Sequence, residues 1–70
     1  MLTEEQKKDI LEKRVTTVNH KIHGEGQIVD FRFDNYEKQY KLQVLFVTPD
    51  FFEEKTFPVF IYINDDNLCQ

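Results

Sequence analysis

Both glycines of this 70-residue chain lie two residues apart, at Gly24 and Gly26, with β-prone sequence on either side. Glycine tolerates positive φ and close backbone approach at little steric cost. Placing both here makes residues 18–31 the one point where the backbone bends sharply. The residues before the bend read as a helix, and those after it read as short strands that close onto it.

The helix is expected over residues 3 to about 14. Thr3 caps it and Gln6 falls at the third helical position, the spacing of a capping box. Glu4 and Glu5 in the first turn and Lys13 and Arg14 in the last complement the helix dipole. Leu2, Ile10, Leu11 and Val15 form a narrow apolar stripe, enough to lay one face on a sheet.

A first strand is expected at residues 16–20. A second at 28–33 would turn Val29, Phe31 and Phe33 to one face and Asp30 and Arg32 to the other. Asp34 and Asn35 mark a turn. The third strand, 39–47, is the clearest: Tyr40, Leu42, Val44 and Phe46 line one face. Leu45 and Val47 make its far end apolar on both sides, which asks for cover there, with the N-terminal helix as the candidate. Residues 48–50 break the strand, and 51–54 read as a loop or turn. A short strand 55–57 stops at Pro58, which cannot donate to a ladder. Residues 59–63 are ambiguous between helix and strand. A turn at 64–67 and a last short strand at Leu68 complete the chain.

Four to five short antiparallel strands with tight turns define a mainly β fold, a small barrel with an N-terminal helix, since closure removes exposed edges. Residues 1–15 form the helical part and 16–70 the barrel, one domain overall. Seventy residues lie near the lower limit for an independent core, and seven Phe and three Tyr supply much of its volume.

The order of residues Val18-x-His20-x-x-His23-Gly24-x-Gly26-x-Ile28, then Val44-x-Phe46, then Lys55-x-Phe57-Pro58-x-Phe60 with Leu68 beyond, resembles bacterial SH3-like or Tudor-like modules. It is similar to the Tudor-like module at the C-terminus of UvrD-type helicases and to the RNA-polymerase-interacting domain of the CarD family. His23 stands where the Tudor-like version usually has another aromatic. The resemblance covers residues 15–68. It implies an SH3-like barrel and a protein partner in transcription or repair, with an RNA polymerase subunit as first candidate.

Function classes narrow quickly. The chain has no Ser for a serine hydrolase and no Ala to favour a helical bundle. Its net charge is −4, and residues 48–70 supply all of it, whereas a nucleic-acid binder normally carries a basic face. Cys69 is alone, so an intrachain disulfide is impossible and a reducing, cytoplasmic setting is expected. No apolar run approaches a membrane span. His20 and His23 lack the third and fourth ligands of a zinc site and are expected, with Gly24 and Gly26, to shape the bend. Gly24-Glu25-Gly26 lacks the further glycines, the lysine and the succeeding helix of a phosphate loop. No metal, cofactor or enzymatic activity is expected. The expected protein-binding patch is Asp50, Phe51, Phe52, Glu53 and Glu54, because aromatic anchors tend to carry interface energy. The alternatives are weak nucleic-acid binding through Lys21, Arg32, Lys38 and Lys41, with Tyr36 stacking, and a phage or mobile-element protein that modulates a host protein.

Overall fold

The computed structural model describes residues 1–48, 53 and 55–70. One helix, α1 (Glu4–Leu11), precedes five strands: β1 (Thr17–His20), β2 (Gly24–Asp34), β3 (Gln39–Thr48), β4 (Lys55–Tyr62) and β5 (Leu68–Cys69). The fold is mainly β. All neighbouring strands are antiparallel, in the order β4-β3-β2-β1-β5. β4 and β5 occupy the two edges, so among the described residues the ladder is open and the expected barrel is not closed by hydrogen bonds. Both ends of the sheet nevertheless feed one core. Val18 and Leu68 come from the β1–β5 end. Leu42, Val44, Phe46 and Ile61 come from the β3–β4 end.

The helix starts as its sequence dictates. Thr3 Oγ1 accepts from Gln6 N at 3.1 Å and Gln6 Oε1 accepts from Thr3 N at 2.9 Å, so both halves of the capping box form. It ends earlier than expected. Glu12 is the C-cap and Lys13 has φ 62, a left-handed residue that stops the helix short of Arg14. Arg14 then pairs with Glu12 at 3.3 Å and with Asp9 at 3.9 Å. Leu2 and Ile10 bury the helix against the core.

The bend differs from expectation. The turn itself is Lys21-Ile22-His23, and both glycines belong to β2. Gly24 has φ 78 and pairs with His20. Gly26 is buried opposite Phe46 and has no positive φ.

β2 carries a second irregularity. Ile28 pairs with Val44 but Asp30 pairs with Gln43, so Val29 is an extra residue in the ladder. The bulge changes the alternation. Ile28 ahead of it and Phe31 behind it both pack on the core, while Val29, expected to share the face of Phe31, is exposed.

β3 alternates as expected, with Leu42, Val44 and Phe46 fully buried. The helix does not cover Leu45 and Val47. It lies toward the other end, where Leu11 shares a groove with Phe33, Tyr40 and Ile63. β4 runs straight through Pro58 instead of stopping there, because an edge strand tolerates a residue without an N–H.

Candidate functional site

Ile63 N donates to Tyr40 O at 2.9 Å. Antiparallel pairs alternate between bonded and non-bonded, so this bond sets the phase of the β3–β4 ladder. Ile61 and Val59, opposite Leu42 and Val44, point their backbone groups at β3. Tyr62, Phe60 and Pro58, opposite Lys41, Gln43 and Leu45, point theirs at the open edge. The N–H that Pro58 lacks is therefore one that β3 never uses.

The same alternation sorts the side chains. Phe57, Val59 and Ile61 face the core, and Pro58, Phe60 and Tyr62 face outward beside Leu45, Gln43 and Lys41. Phe60 is 64 % exposed, and Pro58 and Val47 are exposed as well. The result is an apolar strip on the outer face of the β3–β4 hairpin. At one end the strip meets a depression of about 450 Å³ lined by Asp30, Arg32, Lys41, Gln43 and Phe60.

One end of this face is held by a polar network. The Tyr62 hydroxyl donates to Asp34 Oδ2 at 2.7 Å, while Asp34 Oδ1 accepts from Tyr36 N at 2.8 Å and Glu37 N at 3.1 Å. Lys41 Nζ lies 3.7 Å from Asp34 Oδ2 and 5.1 Å from the Tyr62 ring centroid. The Tyr62 hydrogen bond, with the two backbone N–H groups and Lys41, lowers the Asp34 pKa below its ordinary value. The same bond, with desolvation, raises that of Tyr62.

The expected protein-binding residues Asp50, Phe51, Phe52 and Glu54 lie outside the described residues. Glu53 is exposed, with Lys55 Nζ at 3.9 Å. The four basic residues of the nucleic-acid alternative do not meet. Arg32 and Lys41 are cross-strand partners on the outer face, Lys38 sits in the β2–β3 turn, and Lys21 comes directly after β1 at the opposite end of the long hairpin.

His20 and His23 meet at the turn between β1 and β2. His20 is buried, and its Nδ1 accepts from Ile22 N at 3.1 Å and His23 N at 3.3 Å. The His23 ring stacks on His20 at 4.9 Å and lies 5.1 Å from Phe46 and 5.7 Å from Phe57. Among the described residues no three of His, Cys, Asp and Glu come together as metal ligands, and no helix is long and apolar enough to cross a membrane.

The outward placement of Phe60 escaped the sequence reading. Its signal was Pro58 inside an apolar run, which marks an edge strand whose alternate residues face solvent. No protein-family model, curated protein or solved structure matches the chain.

Proposed function

We propose that this chain is a non-enzymatic protein-interaction module that docks through the outer face of β3 and β4. Phe60 carries the proposal: a large ring, 64 % exposed, on the same outward face as Pro58, Leu45 and Val47. Rigid aromatic side chains in such patches supply much of the energy of protein interfaces. The resemblance to Tudor-like and CarD-type modules supports a partner in transcription or repair, and an RNA polymerase subunit is the first candidate. Phe51 and Phe52, which lie between the two strands in sequence, remain candidate partner-binding residues of the same proposal.

The test is binding of the immobilised chain to purified core RNA polymerase from the organism that encodes it. Phe60→Ala is expected to weaken binding about tenfold or more and to leave thermal unfolding nearly unchanged, since exposed substitutions usually stay within about 0.5 kcal/mol. The paired change Phe51→Ala and Phe52→Ala is expected to behave alike. Absence of polymerase binding rejects that partner. Equal binding by wild type and Phe60→Ala rejects the face.

A further inference from the structure

A second concavity lies on the other side of the sheet, between α1 and the β2–β3 hairpin. Leu11, Phe33 and Tyr40 are among its lining, and its volume is about 520 Å³, within the usual range for small-ligand sites. Phe33 is 44 % exposed and is braced by Tyr40, with ring centroids 5.1 Å apart at 72°.

Charge is distributed unevenly around that groove. Lys7 and Lys8 from α1 and Lys38 from the hairpin turn line it, along with Glu4 and Glu12. Both carboxylates are already engaged: Glu4 with Lys7 at 3.2 Å and Glu12 with Arg14 at 3.3 Å. Among the described residues neither Lys8 nor Lys38 has an acidic partner within ion-pair distance. The Lys38 backbone is held in the turn, at φ 57 with its N–H on Asp34 O at 2.8 Å. An exposed ring thus shares one groove with two uncommitted ammonium groups carried on separate elements.

We infer that this groove binds a nucleotide unit, its base stacked on Phe33 and its phosphate held by Lys8 and Lys38. A simple anion would engage the lysines and leave the ring uncovered. A neutral aromatic would do the reverse. Lysine suits phosphate as a compact point charge, and stacking on an aromatic side chain accepts any base. The unit belongs either to a free nucleotide or to a single strand. Tyr36, 91 % exposed in the same hairpin turn as Lys38, offers a second ring that a strand would use and a mononucleotide would not.

The test is a backbone-amide NMR titration of the whole chain with dAMP, with an oligothymidylate of about eight nucleotides and with inorganic pyrophosphate. Both nucleotide probes are expected to shift the amides of Lys8, Phe33, Lys38 and Tyr40. Phe33→Leu should weaken both about tenfold, Phe33→Tyr should restore binding, and Lys8→Gln with Lys38→Gln should remove it. Tyr36→Leu weakens the oligonucleotide alone if a strand is the ligand and neither probe if a mononucleotide is. Pyrophosphate binding as tightly as dAMP, or no shift of these amides by either nucleotide at millimolar concentration, overturns the inference. None of these residues lies on the outer face of β4, so either result leaves the protein-docking proposal standing.

Discussion

Gly26 of β2 and Phe46 of β3 are cross-strand partners, and the Phe46 ring occupies the space where a side chain on Gly26 would begin. A Cβ there would lie 2.6 Å from Phe46 Cε1 and 2.5 Å from Val44 Cγ1. Both neighbours are fully buried, so neither ring nor methyl can step aside into solvent. Gly26→Ala is expected to cost about 1–3 kcal/mol, the range for overpacking a close-fitted core. Gly24→Ala should also destabilise, for another reason. Nothing lies within 4 Å of its Cβ position, but its φ is 78, and left-handed backbone costs a residue with a Cβ about 1–2 kcal/mol. Gly24→Asn should recover part of that loss. Urea unfolding midpoints separate the cases, and Gly26→Asn should recover nothing.

The His20 ring accepts two backbone N–H groups of the turn beyond it, from Ile22 and His23. His20→Leu keeps apolar volume beside Phe46 but removes the acceptor of both donors; Ile22 and His23 are exposed, so water takes its place and the cost is about 0.5–1.5 kcal/mol, that of a net hydrogen bond. Hydrogen exchange at Ile22 and His23 is expected to accelerate more than exchange in β3. Uniform acceleration across the sheet would mean that the turn has no local stability of its own.

Asp34 and Tyr62 tie stability to pH at both ends of the scale. A carboxyl with a lowered folded pKa stabilises the fold above its unfolded pKa, and the benefit fades as pH falls towards the folded value. A phenol with a raised folded pKa stabilises below its unfolded value, and the benefit fades as pH rises through the folded one. The shared hydrogen bond lowers the first and raises the second. Tyr62→Phe keeps the ring beneath Lys41 and removes the bond. Thermal unfolding across pH should show wild type ahead of this variant from above the ordinary carboxylate range to below the ordinary tyrosine range. The two should converge towards either extreme.

Pro58 protects the β4 edge. Its backbone faces outward, so a residue with an N–H there would complete a row of donors with Phe60 and Tyr62. Pro58→Thr is expected to leave monomer stability nearly unchanged and to promote self-association, because unpaired edges template further strands. Light scattering across a concentration series detects it, and a strictly monomeric variant would show that something else blocks the edge.

Local features were the most legible in the sequence. The capping box depends on residues three apart, and Thr3 and Gln6 formed it as expected. The alternation of β3 came through because Tyr40 to Phe46 are placed by a single period. Features whose cause lies far along the chain were not legible. Gly26 resembles a bend residue until Phe46, twenty positions away, is seen opposite it. Pro58 ends a strand in isolation but is permitted in one at an edge, and strand order is a property of the whole sheet. The helix stopped at Leu11 because Lys13 turned left-handed, a choice that charge patterning at Lys13 and Arg14 does not encode. His20 and His23 are three apart and meet at one turn, so their closeness is again a local matter. The basic group of Lys21, Arg32, Lys38 and Lys41 dispersed because alternation and hairpin length send its members to different faces and ends.

The extra residue at Val29 works as a change of reading frame within one strand. Ahead of it, even-numbered residues of β2 face the core; behind it, odd-numbered ones do. Substituting Val29 alters only an exposed side chain, whereas removing it would force the two halves into a common phase. Either Phe31 would turn to water and Arg32 inward, or Gly26 and Ile28 would leave their places opposite Phe46 and Val44. Tolerance at this position therefore depends on length and hardly at all on identity: many residues can stand at 29, but one must.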